Sequence, residues 1–373
     1  MKSFLLAITV FVLTGFSIAQ TIAQTRSTSP SKNSVSRAPA TGSSLALNSV
    51  STLNVPSEAG GAFMNGSKCD ADEYLYLRKY ATDRPLLSTI VKIDHDGKRV
   101  AVFDPAAFSH LALDRADAFS PASDGGLFEI AQSGILKPRT YVLRFSSDGS
   151  PSTPTRLDAD FEIYSFAAFL GGNFLVSGVR RDIQNKNDHG RNFTAVFSAD
   201  GRELAQLSFR GDKKAAKIDS PRDTSPHDTS GNDTSKNDIS GSAPPLDLAD
   251  AEAGIDGNIY VLHWSAPALV YVISPDGQIF RTLKIAGPLP GALPTAFHLS
   301  INRLAVSFWN EGKQRQTILV VDAQTGQQIA SYADTELERL GPWFACYSAN
   351  AGVFTFLKLG EGNSLQVIRA EAK

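Results

Sequence analysis

The sequence has little sulfur and no excess of either charge. Its 373 residues include two cysteines and two methionines, too few for a cysteine-rich zinc site. The formal net charge is −2 with both signs dispersed, which gives no electrostatic footprint for nucleic acid or an anionic membrane. After the first 23 residues no run of about 18 apolar residues occurs. We therefore expect no nucleic-acid partner and no membrane insertion of the mature chain.

Recognisable catalytic motifs are also lacking. The six histidines have no metal-ligand spacing, and the chain contains no Gly-x-Ser-x-Gly elbow, phosphate loop or Cys-x-x-Cys pair. The stretch Asp94-His95-Asp96-Gly97 resembles the opening of a calcium loop but lacks the later acidic ligands, so we interpret it as a hairpin turn. Nucleophilic catalysis has no support, so the sequence favours a protein that is not an enzyme but leaves the question of catalysis open.

Three segments fall outside any folded pattern. Residues 1–23 combine Lys2, an apolar stretch and small residues, which is typical of a secretory signal peptide; an uncleaved anchor is the alternative. Residues 24–48 form a Ser/Pro-rich leader, and residues 211–245 a polar insertion with a near-pentad Asp-Thr-Ser repeat, both predicted to be disordered. We expect a secreted or periplasmic protein.

A repeated hairpin is what the chain does contain. Short β-rich runs break at a glycine turn at Gly97, Gly149, Gly201, Gly277 and Gly326, so the steps are 52, 52, 76 and 49 residues. Removing the insertion brings the long step into line with the others. This period is typical of a β-propeller blade.

The second strand of each unit gives the blade count. Strongly apolar runs occur at Tyr74 to Leu77, Leu127 to Ala131, Phe174 to Val179, Ile259 to His263, Leu304 to Phe308 and Val353 to Leu357. They predict an all-β, six-bladed propeller of four-stranded antiparallel blades over residues 49–373. The last unit has no room for a fourth strand, so we expect Ser49 to Val55 to supply it and close the ring.

The stretch from Asp256 to Leu283 carries the sharpest motif, with Asp-Gly-Asn-Ile-Tyr-Val followed by a Ser-Pro-Asp-Gly hairpin. It resembles six-bladed propellers of the NHL-repeat and gluconolactonase-like type. The resemblance extends as a pattern from about Ser49 to the C-terminus. The Asn-His-Leu trio that names the NHL family is not visible.

Propellers usually bind ligands at loops that join second to third strands, and this geometry selects candidate residues. They are Arg78, Tyr80, Arg180, Arg181, His263, Trp264, Trp309 and Glu311. Aromatic platforms beside cations suit a carbohydrate, a peptide or an anionic small molecule. The alternative is that these are ordinary loop residues, with Trp264 and Trp309 covering the core.

Acidic residues precede the second strands of three units. Asp117, Asp160 and Asp250 could converge near the central channel and hold Ca²⁺ or another divalent ion. Solvated carboxylates at strand starts are the alternative. The gluconolactonase-like site of a Glu, an Asn and an Asp cannot be placed on this sequence.

Cys69 and Cys346 lie at equivalent places in the first and last units, which are neighbours in a closed ring. In an exported chain they could form a disulfide or remain two unpaired apolar side chains.

The function favoured by these observations is that of a monomeric binding module for a protein, peptide or carbohydrate, without a cofactor. The alternative is a metal-dependent lactonase-like hydrolase with an acidic site at the channel mouth.

Overall fold

The computed structural model describes ten stretches of the chain. They are residues 44–55, 66–79, 83–134, 138–157, 162–180, 191–207, 248–310, 315–333, 343–361 and 364–372. The predicted signal peptide and insertion lie outside them, as does the leader up to residue 43. Among the residues described, no helix is long and apolar enough to span a membrane.

The described chain is built almost wholly from β-strands. The N-terminal strand is β1 (Leu45–Val55). Four four-stranded antiparallel sheets follow in chain order. The first contains β2 (Lys68–Cys69), β3 (Leu75–Arg78), β4 (Ile90–Ile93) and β5 (Arg99–Phe103), and the second β6 (Arg115–Pro121), β7 (Leu127–Ser133), β8 (Arg139–Phe145) and β9 (Thr155–Arg156). The third contains β10 (Glu162–Ala168), β11 (Phe174–Arg180), β12 (Arg191–Phe197) and β13 (Glu203–Gln206), and the fourth β14 (Leu248–Ala253), β15 (Ile259–His263), β16 (Ala268–Ile273) and β17 (Ile279–Ile285).

The remaining strands form one eight-stranded sheet. They are β18 (Leu293–Ser300), β19 (Arg303–Asn310), β20 (Arg315–Asp322), β21 (Gln328–Ala333), β22 (Trp343–Ser348), β23 (Val353–Leu359) and β24 (Leu365–Ala372). The order in this sheet is β18-β19-β20-β21-β1-β24-β23-β22. A short 3₁₀ helix, Pro105–Leu111, follows β5.

The first strands of successive units contact one another in a closed ring. The cyclic order is β2, β6, β10, β14, β18 and β22, and β22 contacts β2. Apolar clusters fill the spaces between neighbouring sheets; Phe103 of the first sheet, for example, packs on Phe145 of the second with ring centroids 5.8 Å apart. Sheets packed face to face around an axis define the fold as a β-propeller.

Strand β1 lies beside β24, in the place that the sequence predicts for Ser49 to Val55. The two strands pair antiparallel from Leu47↔Ala372 to Val55↔Leu365. The strand begins four residues before the predicted boundary at Ser49, because Leu45 and Ala46 pair in parallel with β21 and Leu47 is buried in an apolar cluster. The predicted leader therefore extends too far, and β1 joins what would otherwise be two separate sheets.

A disulfide joins the first and last units. Cys69 in β2 is bonded to Cys346 in β22, with Cα atoms 5.9 Å apart and a sequence separation of 277. Of the two alternatives that the sequence leaves open, the structure therefore contains the bonded pair. The ring is closed twice, at its inner edge by this bond and at its outer edge by β1.

The glycine turns occur where the sequence places them, between third and fourth strands. All five glycines have positive φ, from 70° at Gly326 to 90° at Gly149, a conformation that L-residues other than glycine adopt at a cost. A second reason for glycine is close approach. A Cβ on Gly201 would lie 1.9 Å from the carbonyl oxygen of Arg156, and one on Gly149 2.2 Å from that of Val102. Each turn thus packs on the outer strand of the preceding unit.

We expect Gly201→Ala to destabilise the protein more than Gly257→Ala. Both positions have positive φ (89° and 82°) and share a strain of about 1–2 kcal/mol. Only Gly201 also meets a neighbouring backbone, since a Cβ on Gly257 has nothing within 4 Å. Overpacking adds about 1–3 kcal/mol. Urea unfolding of both variants measures the difference, and equal losses would contradict the proposed contact between units.

Candidate functional site

The sequence predicts that Arg78 projects from the propeller surface, but the structure places its side chain in the interior. It is 7% exposed, and its Nη1 donates to Oε1 of the fully buried Glu129 at 2.9 Å. Its guanidinium also lies over the ring of Phe119, 5.4 Å from the centroid. Burial raises the pKa of Glu129 to about 7, although Arg78 opposes the shift. Arg78 therefore joins the first sheet to the second and is unavailable to a ligand.

The other predicted ligand-binding residues have mixed surroundings. Arg180 donates to Glu203 at 3.0 Å and lies over Phe193, so its charge is already paired. Trp264 is exposed and Trp309 half-buried at the ends of equivalent strands, and His263 packs edge-on against Tyr271. Tyr80, Arg181 and Glu311 lie outside the described residues. Among the described residues of the loops that join second to third strands, Trp264 is thus the exposed aromatic side chain.

The predicted metal ligands lie in separate ion pairs. Asp117 Oδ2 is 3.1 Å from Nε of Arg115, and Asp250 accepts from Lys68 Nζ at 2.7 Å. Burial raises the pKa of Asp117, against the opposing effect of Arg115. Asp160 lies outside the described residues. Within the part of the chain that the structure describes, no three His, Cys, Asp or Glu side chains are grouped so that they could hold a metal ion.

Lys68 bridges the central channel. Its strand β2 and the strand of Asp250, β14, lie on opposite sides of the ring, and Lys68 Nζ also donates to the backbone oxygen of Ala251 at 2.9 Å. Burial lowers the pKa of Lys68, but Asp250 and Glu252 outweigh it and the net shift is upward. The ammonium group is therefore charged, and the channel is spanned by a partly buried ion pair.

His298 joins three neighbouring units beside this pair. Its Nδ1 lies 2.8 Å from Oε1 of Glu252 in β14, and its Nε2 lies 3.2 Å from the backbone oxygen of Phe344 in β22. Glu252 also accepts from the backbone N–H of Leu299 at 2.7 Å. Because both ring nitrogens face acceptors, only the imidazolium satisfies both contacts. Burial lowers the pKa of His298, yet Glu252 more than offsets this and the pKa is raised.

The contact between His298 and Glu252 predicts a pH dependence of stability. A raised folded-state pKa stabilises the protein below the ordinary value of 6.5, and the contribution is lost as pH rises through the folded-state value. The carboxylates that raise the pKa of His298 are those of Glu252 and Asp250, and the same two carboxylates act on Lys68. We expect the urea midpoint of the wild type to fall as the pH rises above 6.5, and to fall less in His298→Gln. Parallel pH profiles would contradict the assignment of the imidazolium.

A cavity opens at the other end of the propeller, which we call the turn face. This face is formed by the turns that join first to second and third to fourth strands. The cavity has a volume of about 240 Å³. It is lined by residues 121–124 and 168–170 together with Phe128, Arg144 and Ala253. Three successive units therefore meet around it.

The cavity lining combines apolar side chains with one ion pair. Arg144 lies over the ring of Phe128, 4.4 Å from the centroid, and donates to Asp124 and to the backbone oxygen of Phe145 at 2.7 Å. Although burial opposes the shift, hydrogen bonds from Arg144 and from the N–H of Gly126 lower the pKa of Asp124. The pair is thus fixed and ionised beside Phe128.

Exposed apolar side chains continue from the cavity around the turn face. Leu170, Ile255 and Ile301 lie in the first-to-second turns of successive units and are 48%, 61% and 43% exposed. Ile301 has φ 55°, a conformation that is strained for a β-branched residue. The sequence analysis missed this surface. Its signal was an apolar residue at each of three turn positions where polar residues are usual.

No protein-family model matches the chain, and no curated protein matches its sequence. Solved structures resemble it at low identity. A protein of unknown function from Bacteroides caccae is 13% identical over 75% of this chain and 84% of that one, with a TM-score of 0.43. The Neurospora crassa Pan2 WD40 domain is 10% identical over 89% and 98%, with a TM-score of 0.45. The Dos1 propeller is 10% identical over 79% and 75%, with a TM-score of 0.40.

The propeller assignment rests on the ring of sheets and not on these similarities, whose TM-scores are too low to support an argument. The resemblance to NHL-repeat and gluconolactonase-like proteins stays a prediction, since no family model matches.

Proposed function

We propose that this chain is an exported, monomeric, six-bladed propeller that binds a protein partner through its turn face. The count of six follows if the eight-stranded sheet is treated as two blades that meet between β21 and β1. Only two residue pairs, Leu45↔Tyr332 and Ala46↔Ala333, join these strands, and they pair in parallel. Strand β1 is then the outer strand of the last blade, and the signal-peptide pattern of residues 1–23 supports export.

The observation that carries the binding proposal is the cavity with its apolar rim. Solvent-exposed apolar residues are ordinary when scattered, but here they occupy equivalent turns of neighbouring units and lie beside a concave site. Such a patch is typical of an interaction surface. The channel itself is a poor alternative, because the pair of Lys68 and Asp250 spans it.

The contacts of the acidic residues favour binding over metal-dependent hydrolysis. Arg115 lies beside Asp117 and Lys68 beside Asp250, so a dication there would compete with a cation already in place. A lactonase assay of the purified chain with added Ca²⁺, Zn²⁺ or Mn²⁺ tests the hydrolase alternative, and turnover abolished by Asp250→Asn would favour it.

Site-specific photo-crosslinking tests the binding face. A photoreactive amino acid replaces Ser123 beside the cavity, Trp264 on the opposite face, or Leu204 on the outer strand β13. The full chain is then irradiated in the extracellular or periplasmic fraction of the source cells. We expect one discrete crosslinked protein from position 123 and none from 204. A product from position 264 alone would place binding on the opposite face and overturn the proposal.

A further inference from the structure

The size of the cavity limits what can enter it. Ordinary small-molecule pockets measure about 300–1,000 Å³, and this cavity, at about 240 Å³, is smaller. Its lining surface is divided about equally between polar and apolar atoms, and the apolar residues include Phe128, Phe169 and Leu170. This volume and the apolar part of the lining suit one large apolar side chain of a macromolecule. Buried anchors of this kind carry most of the binding energy at protein interfaces.

The rim indicates that the rest of the ligand extends along the turns. Leu170 lines the cavity, and Ile255 lies in the turn that begins directly after Ala253, another lining residue. Ile301 follows in the next unit with its strained φ of 55°. An extended segment anchored in the cavity could thus cover Ile255 and Ile301 in succession.

Three exposed carboxylates on the turn face are available to a basic residue of a ligand. Asp256 is exposed next to Ile255, and its carboxylate accepts from Asn258 and from the hydroxyl of Tyr260 at 3.0 Å. Asp148 and Asp276 accept from serine hydroxyls in equivalent hairpins. Among the described residues these three carboxylates form no ion pair. By contrast, the cation at the cavity, Arg144, is already held by Asp124.

We infer that the turn face binds a polypeptide segment that inserts one large aliphatic or aromatic side chain between Phe128 and Leu170 and places an adjacent lysine or arginine near Asp256. This inference rests on the proposed function and adds the chemistry of the partner. The anchor supplies buried apolar area, and the basic residue supplies an attraction that selects among apolar segments.

Random-peptide display against the full chain tests this chemistry. The selected peptides are synthesised and titrated into wild type, Leu170→Asp and Leu204→Asp. The two leucines are both 48% exposed, but Leu204 lies on β13 at the outer edge, so this variant controls for added charge. We expect enriched peptides to carry a large apolar residue beside Lys or Arg. Their affinity should fall at least tenfold in Leu170→Asp and stay within twofold in Leu204→Asp.

A second pair of variants tests the basic residue. Each selected peptide is compared with a copy in which Glu replaces the Lys or Arg. Asp256→Asn should reduce the preference for the basic copy severalfold, whereas Asp96→Asn, in the exposed hairpin of the first unit on the opposite side of the ring, should leave it unchanged.

The possible failures are distinguishable. Peptides that lose affinity in Leu170→Asp but show no basic preference would overturn the inference and leave the proposed face intact. Two results would overturn the inference: peptides with the same affinity for Leu170→Asp as for wild type, and no enrichment of peptides at all. If the peptides lose affinity in Trp264→Ala instead, the proposed binding face is also wrong.

Discussion

Replacing Cys69 and Cys346 by alanine is expected to lower the free energy of unfolding by about 5 kcal/mol. The bond closes a loop with a sequence separation of 277 residues, and the chain-entropy model assigns about 5 kcal/mol to a loop of this length. The effect acts mainly on the unfolded chain, which the bond prevents from expanding. Urea unfolding of the double variant and the wild type under oxidising conditions measures it.

Chemical reduction supplies the control for altered packing. Cys346 is 5% exposed, so alanine also removes a buried sulfur atom. Reduced wild type keeps both sulfur atoms and should unfold close to the double variant. The prediction would be contradicted if the free energies of unfolding of the oxidised wild type and the double variant differed by less than about 1 kcal/mol.

Glu129→Gln is expected to destabilise the protein by about 3–5 kcal/mol. The substitution leaves the guanidinium of Arg78 buried without its counter-charge, which costs more than the pair itself contributes. Arg78→Met should lose less near neutral pH, because the pKa of Glu129 is already about 7 with Arg78 beside it, and the carboxyl group takes up a proton when Arg78 is removed. The double variant Arg78→Met/Glu129→Leu should recover most of the loss. Urea unfolding of all four proteins gives the coupling energy, and additive losses would contradict the prediction.

Glu129 predicts a second pH dependence of stability, at lower pH than that of His298. The folded-state pKa of Glu129 is about 7 and its ordinary value 4.5, so the folded state binds the extra proton between these values. Stability from this group is therefore greatest below pH 4.5 and falls as pH rises to about 7. The double variant should lack this fall.

The strands and turns were predictable because their causes are local. The six predicted second strands correspond to β3, β7, β11, β15, β19 and β23 within two residues at each end. Apolar alternation and glycine at positive φ need no knowledge of distant residues. The place of β1 also followed from the sequence, since the last unit lacked a fourth strand and the β-rich run Ser49 to Val55 belonged to no other unit.

The site was not predictable in the same way. Arg78 follows a second strand like Arg180, and only the neighbouring sheet, which brings Glu129 beside it across 51 residues, makes it a buried group. The cavity on the turn face requires three units at a defined spacing. Leu170 and Ile255 resemble ordinary turn residues until that spacing is known.

The position of β1 has a consequence for biosynthesis. Ribosomes make β1 before any other described strand, whereas its partner β24 is translated after all the others. The earliest strand therefore has to wait, with Leu47, Leu53 and Val55 uncovered, until residues 365–372 emerge. A product truncated before Leu365 would lack the partner altogether and expose an unpaired edge, which makes it a substrate for proteolytic quality control.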